Sequence, residues 1–202
     1  MRLIFFFLKR SILAFILSFV CFSLIRTRFF KSSKLGSNGT REFLLSLFIG
    51  YIAILCVFMF TPNVFIANHG IDLTSENFDF VGNFKDRIDS GSWGINIYPL
   101  RTIKSYLKYS GGFHAFTNIF GNILIFMPVT FLLACIYEKM HSIKNILLIS
   151  IGMSLFIEFI QFFIGRSVDI DDLILNVIGG VLGYIMYMIL SKLNLKITRV
   201  FI

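Results

Sequence analysis

Residues 157–184 read IEFIQFFIGRSVDIDDLILNVIGGVLGY, and this stretch concentrates polar groups within a chain that is otherwise strongly apolar. Its charged and amide side chains are Glu158, Gln161, Arg166, Asp169, Asp171, Asp172 and Asn176. Apolar runs flank it on both sides, at 146–164 and 173–190. Polar groups that enter a bilayer are costly, so such a concentration indicates either helix packing or a functional site.

The composition identifies the class of protein. Hydrophobic residues make up 56% of the 202 residues and charged residues only 15%. A soluble domain of this size has roughly 45–50% apolar and about 25% charged residues. The chain therefore has too little polar surface for water, and a membrane protein is expected.

Apolar run length predicts how many times the chain crosses the membrane. Four runs approach or reach the roughly 20 residues that span a bilayer; they are 43–60, 119–137, 146–164 and 173–190. A fifth run, 3–25, is interrupted by Lys9 and Arg10, which can extend to the interface. A cleaved signal peptide is the alternative there, but no small-x-small site follows. We expect an all-α, polytopic helical membrane protein with about five transmembrane helices.

The net charge of +8 suggests a nucleic-acid partner at first, but the basic residues cluster beside the apolar runs. That distribution is typical of cytoplasmic loops, so we expect no nucleic-acid binding.

The same distribution of basic residues predicts a multi-pass protein of the cell membrane with its N-terminus outside and its C-terminus in the cytoplasm. The predicted regions are 1–60, two spans with a basic cytoplasmic loop; 61–115, an extracytoplasmic segment; 116–190, a three-helix core; and 191–202, a basic cytoplasmic tail.

The 61–115 segment is the only one expected to face water. Residues 101–109, RTIKSYLKY, place apolar side chains on one side of a helix and Lys104 and Lys108 on the other. This pattern predicts a short helix lying on the membrane surface. Alternation over 78–84 gives a weaker indication of a strand.

Helical periodicity places the polar groups of the last span on one face. At 100° per residue, Asp169, Asp172 and Asn176 fall within about 60° of one another. Gly180 and Gly183 continue this face, and Gly179 and Gly183 form a small-xxx-small pair that allows close helix approach. Asp171 lies on the opposite side, so its replacement by Asn is expected to be nearly silent.

Two other spans carry polar residues at the same predicted depth, in the outer leaflet. Asn118 and Asn122 share one face of the third span, with His114 one turn before them. Glu158 and Gln161 share a face of the fourth. We therefore predict one outward-opening binding site, without metal or cofactor, built from Asn118, Asn122, Glu158, Gln161, Arg166, Asp169, Asp172 and Asn176.

Structural explanations remain open for several of these residues. Amides within membrane helices often form interhelical hydrogen bonds. Asp169 suits a helix N-cap, and Arg166 suits neutralisation of the acids beside it. Glu158 is the hardest to explain structurally, because a charge near the bilayer centre costs roughly 2.5–3.5 kcal/mol.

Residues 96–184 resemble VanZ-like membrane proteins. The matching elements are Asn96-x-x-Pro99, Asn118-x-x-x-Asn122, Phe126-x-Pro128, Glu158-x-x-Gln161 and Arg166-x-x-Asp169-x-x-Asp172-x-x-x-Asn176-x-x-Gly179. One departure is Thr130, where the family often has glycine, and residues 1–60 carry no motif. The resemblance implies a bacterial envelope protein. The founding member is associated with low-level resistance to teicoplanin, a lipid-tailed glycopeptide, and no settled mechanism is implied.

Three functions follow from these observations. The first is binding of a membrane lipid, a lipid-linked envelope precursor or a lipoglycopeptide in an outer-leaflet polar pocket. The second is an intramembrane enzyme, metal-assisted or acid–base, although HExxH, GxSxG and phosphate-loop motifs are absent from the sequence. The third, a transporter or channel, requires polar lining through both leaflets, and the inner halves offer little beyond Ser150 and Ser154. The sequence does not decide whether the protein is an enzyme, and no catalytic residue is assigned.

Overall fold

A computed structural model describes residues 2–30, 37–61, 93–109, 112–164 and 166–193. The elements in chain order are α1 (Arg2–Phe29), α2 (Gly39–Phe60), β1 (Ile95–Asn96), α3 (Arg101–Tyr109), α4 (Gly112–Ile136), a 3-10 turn (Glu138–His141), α5 (Ile143–Phe163), β2 (Val168–Asp169) and α6 (Ile170–Lys192). The predicted strand at 78–84 and the side chain of His114 lie outside the described parts of the chain.

Five of the helices are long and apolar enough to cross a membrane. The spans are Phe5–Phe29, Gly39–Phe60, Asn118–Ile136, Ile143–Phe163 and Ile170–Lys192. The all-α polytopic prediction is therefore confirmed. Lys9 and Arg10 do not interrupt α1, and the Arg10 guanidinium lies 3.6 Å from the centroid of the Phe6 ring.

The helix bundle has two chemically different ends. At the end that we call the basic end, α1 leads into α2 and α4 leads into α5. There the Arg26 guanidinium donates two hydrogen bonds to the Glu42 carboxylate, at 2.7 and 3.0 Å. At the opposite end, which we call the polar end, α2 and α5 terminate and α6 begins. The short elements β1, β2 and α3 also lie at the polar end.

Helices α4 and α6 are in direct backbone contact. A Cβ atom on Gly179 would lie 2.2 Å from the Ile123 carbonyl oxygen, and one on Gly183 would lie 2.1 Å from that of Met127. The Thr130 hydroxyl on α4 donates to the Gly180 carbonyl at 2.7 Å. The small-residue face of α6 therefore packs against protein, as predicted, because only glycine allows this approach.

The remaining core is apolar and connects α2 to these helices. One buried cluster includes Leu44, Cys135 and Ile146, and a second includes Leu55, Phe126 and Ile157. The outward sides of the spans expose large apolar residues, which suits contact with acyl chains.

A two-residue parallel ribbon joins the segment before α3 to the segment before α6. Ile95 pairs with Val168 and Asn96 pairs with Asp169. Helix α3 begins five residues after β1 and has the bounds predicted from its amphipathic pattern. The ribbon thus holds α3 against the start of α6.

Candidate functional site

Glu158 and Asp169 are buried and meet at the polar end. The Asp169 backbone N–H donates to Glu158 Oε2 at 3.0 Å, and Glu158 is only 6% exposed. Asp169 Oδ1 in turn accepts from the Asp171 N–H at 2.9 Å, so Asp169 is the N-cap of α6, the structural alternative that the sequence left open. The Asn96 amide donates to the same Oδ1 atom at 2.9 Å. Both carboxylates therefore take part in holding the polar end together.

Asp171 lies on the predicted side of α6, but it makes hydrogen bonds that the sequence did not predict. It is 1% exposed, and its carboxylate accepts hydrogen bonds from the backbone N–H groups of Leu100, Thr102 and Ile103. These amides belong to the start of α3, where helical N–H groups lack partners within the helix. Asp171 points away from Asp172, but it caps another helix. The expectation that its replacement is nearly silent is therefore wrong on physical grounds.

Asp172 is the most accessible acid of this cluster. Its Oδ1 atom accepts a hydrogen bond from the Asn122 amide at 2.6 Å. The side chain is half-buried, and its Oδ2 atom accepts no hydrogen bond from the described residues. Asn118 lies one turn closer to the polar end on α4 and is also half-buried. One carboxylate oxygen of Asp172 thus remains available to a further donor.

Gln161 and Arg166 bind the C-terminal end of α2. The Gln161 amide donates to the Met59 carbonyl at 3.1 Å. Arg166 Nη1 donates to the carbonyls of Phe58 at 3.0 Å and Met59 at 3.3 Å. A cation is favoured at a helix C-terminus, where carbonyl groups lack intrahelical partners.

Arg166 also belongs electrostatically to the acid cluster. Burial lowers the pKa of its guanidinium, and the neighbouring carboxylates of Asp172 and Glu158 oppose that decrease. Because an arginine side chain keeps its proton in proteins, a permanent cation lies beside these acids. Glu158 interacts with Asp172, Asp169 and Arg166. The predicted residues around Arg166 therefore form one charged cluster.

Asn176 lies deeper, between α5 and α6. Its amide nitrogen donates to the Ser154 hydroxyl at 2.9 Å, and the side chain is 1% exposed. Its Oδ1 atom and the Ser150 hydroxyl are buried without a hydrogen-bond partner among the described residues. Asn176 is therefore better explained as the donor of a hydrogen bond between two helices than as a residue that contacts a ligand.

The structure thus divides the eight predicted residues. Asn122, Glu158, Arg166, Asp169 and Asp172 lie together. Asn118 lies one helical turn from Asn122, Gln161 bonds to α2 beside the cluster, and Asn176 lies below it. Among the described residues, no three His, Cys, Asp or Glu side chains are grouped to hold a metal ion.

Sequence reasoning missed two participants, Asp171 and Asn96. Asn96 was noted only within the Asn-x-x-Pro element, yet its amide reaches both Asp169 and the Thr102 hydroxyl. The clue to Asp171 was the start of α3, since the preceding residues Tyr98, Pro99 and Leu100 offer no side-chain cap. A helix start without a local cap requires a partner from elsewhere.

Comparison with known protein families identifies a match over most of the chain. A family model described as VanZ/LLP1 matches residues 48–191. This region includes most of α2 and all of the polar-end elements described above. Neither the curated proteins nor the solved structures contain a match to the chain.

Proposed function

The chain belongs to the VanZ/LLP1 family, and we propose that it binds the headgroup of a lipid-linked or amphipathic envelope molecule at its polar end. The observation that carries this proposal is Asp172, a half-buried acid near the cation Arg166, whose Oδ2 atom accepts no hydrogen bond from the described part of the chain. Glu158 and Asp169 each accept a backbone N–H through one carboxylate oxygen and are buried. Asp172 is the acid of these three that a ligand reaches most readily, because it is only half-buried.

The chemistry of the cluster defines the ligand class. Asp172 Oδ2 accepts a hydrogen bond from a hydroxyl or ammonium group, and Arg166 provides positive charge for an anionic group nearby. The outward sides of the spans expose large apolar side chains that can contact an acyl chain. A molecule with a polar head and a lipid tail satisfies both requirements.

Binding can be tested with the purified full-length chain and two probes, the undecaprenyl-linked peptidoglycan precursor and teicoplanin. Native mass spectrometry should detect a complex with one of them, and Asp172→Asn should weaken that complex about tenfold, the effect of losing roughly 1.4 kcal/mol. Glu138→Gln is the matched control, because Glu138 is an exposed acid at the basic end. Equal binding by Asp172→Asn and the wild type would refute the proposal.

The orientation that this function requires places the polar end outside the cell membrane of a bacterium. The basic residues around 26–42 and in the C-terminal tail support it, because cytoplasmic loops are enriched in Lys and Arg. A reporter fused after Lys34 or Ile202 should read cytoplasmic, and one fused within 72–89 should read external. A cytoplasmic reading from 72–89 would invert the orientation and exclude an outer-leaflet ligand.

The same ligand class includes teicoplanin, so we also propose a contribution to glycopeptide susceptibility. Expression in a susceptible strain should raise the inhibitory concentration of teicoplanin for the wild type and for Glu138→Gln. It should not do so for Asp172→Asn at equal expression. An unchanged inhibitory concentration with the wild-type chain would exclude a role in resistance. The binding proposal would then be decided by the native mass spectrometry described above.

The alternative is an intramembrane enzyme that acts on a lipid-linked substrate by acid–base chemistry. The observation in its favour is the proximity of Glu158 and Asp172, since paired carboxyl groups can divide acid and base roles. Incubation of the purified protein with the precursor should then yield a product of changed mass, and both Glu158→Gln and Asp172→Asn should abolish it. A bound but unchanged precursor would support the binding function instead.

A further inference from the structure

Helix α3 presents its cations on one exposed face. Arg101, Lys104 and Lys108 are exposed and fall within about 60° of one another at 100° per residue. Ile103 and Tyr106 lie on the opposite side and are half-buried. The basic face is therefore directed away from the bundle.

The orientation of this face is fixed by hydrogen bonds at the helix start. The Asp171 carboxylate accepts from the Thr102 and Ile103 amides at 2.8 and 3.1 Å, and the Asn96 amide donates to the Thr102 hydroxyl at 3.0 Å. These bonds also fill the N-terminus of α3 with a carboxylate, so an external anion has no access to those amides. An anion that approaches α3 meets the side chains of the basic face.

The residues around α3 are those expected at a lipid–water boundary. Leu107, Ile97 and Tyr98 are 69%, 69% and 65% exposed. Trp93 is also exposed, and its ring stacks on Phe162 near the end of α5, with centroids 6.1 Å apart. Aromatic residues concentrate at the level of the headgroups. The segment 93–108 thus lies where the end of a membrane span meets water.

From these three observations we propose that Arg101, Lys104 and Lys108 form a binding surface for the phosphate groups of anionic phospholipids. Positive charge facing outward and apolar side chains beside it match a leaflet that contains phosphatidylglycerol or a similar lipid. This surface is separate from the Asp172 site. It retains anionic lipid around the polar end whether or not Asp172 binds a headgroup.

Trp93 provides a local measurement, because it is the single tryptophan of the chain and lies at the polar end, where its ring stacks on Phe162. The full-length protein is reconstituted in phosphatidylcholine nanodiscs in which either brominated phosphatidylglycerol or brominated phosphatidylcholine is the quenching lipid. Greater quenching by the brominated phosphatidylglycerol measures the preference for anionic lipid at this end of the bundle. We expect roughly a tenfold preference in the wild type, reduced at high salt by screening.

The variant Arg101→Gln/Lys104→Gln/Lys108→Gln should remove this preference. The matched control is Lys139→Gln/Lys144→Gln/Lys192→Gln, which removes three exposed cations from the basic end and should leave Trp93 quenching unchanged. Asp172→Asn should also keep the preference, which separates this surface from the proposed ligand site. Equal quenching by both brominated lipids in the wild type, or an unchanged preference in the α3 variant, would overturn the proposal.

Discussion

The carboxylate of Asp171 accepts a hydrogen bond from the backbone N–H of Thr102 at 2.8 Å, across 69 residues of sequence. The acid lies in the first turn of α6, and the amide lies in the first turn of α3. One side chain therefore fixes the surface helix to the last membrane span. The position of the basic face of α3 depends on this bond and on its neighbours at Leu100 and Ile103.

Replacement of Asp171 should loosen α3. In Asp171→Ala three backbone N–H groups lose their acceptor, and the unfolding free energy should fall by about 1–3 kcal/mol. Asp171→Asn should cost less, because one oxygen remains to accept. Hydrogen exchange at the amides of 100–103 should accelerate in both variants. Glu138→Ala, at an exposed acid, is the control; an Asp171→Ala protein with wild-type exchange would show that the cap is dispensable.

Addition of a single methyl group should separate α4 from α6. In Gly183→Ala the new Cβ meets the Met127 carbonyl oxygen at 2.1 Å, so the helices must move apart. Overpacking of this kind typically costs about 1–3 kcal/mol. Gly121→Ala and Gly152→Ala are the controls, because nothing lies within 4 Å of a Cβ at either position. Denaturant unfolding in detergent measures all three, and equal midpoints would contradict the close contact.

Removal of Arg166 should destabilise the protein through the acids that it accompanies. Arg166→Gln takes away the cation beside Asp172 and Glu158 and should cost about 1–3 kcal/mol, less than a fully buried pair because Arg166 is partly exposed. The loss should shrink as the pH falls, because protonation of the carboxylates removes the uncompensated charge.

The double variant Arg166→Gln/Asp172→Asn isolates this electrostatic effect. It should recover part of the stability lost by Arg166→Gln, giving a coupling energy of about 1 kcal/mol in a double-mutant cycle. Strict additivity would mean that Arg166 acts only through its bonds to the α2 carbonyls.

Two serines lie one turn apart on α5, and replacing each by alanine should affect the stability of the protein differently. The Ser150 hydroxyl is buried without a partner among the described residues, so Ser150→Ala should leave stability unchanged or raise it by up to about 1 kcal/mol. The Ser154 hydroxyl accepts from the Asn176 amide, so Ser154→Ala should lower stability by about 1–2 kcal/mol. Thermal unfolding of the two variants in parallel is the measurement. Similar losses in both would show that Ser150 makes a stabilising bond.

The helices were predictable from sequence because their signals are local. Run length defined the five spans, and the amphipathic pattern gave α3 with its observed bounds. Helical phase also placed Asp172 and Asn176 on the face that meets α4 and α5. Residue type offered capping of α6 by Asp169 as one explanation of this acid, and the structure shows that cap.

The contacts that assemble the polar end were not predictable in the same way. Strands of two residues, such as Ile95–Asn96, are too short to show an alternating pattern. The helical periodicity of α6 showed correctly that Asp171 faces away from Asp172. It does not show which element packs against that side of α6. The crossing of α3 over that side is a tertiary feature, and it changes Asp171 from a surface acid into a buried cap.

The hydrogen bond between Glu158 and the Asp169 amide joins groups only eleven residues apart. During biosynthesis the chain reaches the bilayer from its N-terminus, so α5 is delivered before α6 is complete. A carboxylate that depended on a distant helix would enter lipid without a partner, at a cost of several kilocalories. Glu158 instead accepts from Asp169 in β2, within the short segment that follows its own helix. Helix α5 and the segment up to Asp169 can therefore enter the membrane with the Glu158 carboxylate already hydrogen-bonded. The other helices can then pack around this unit.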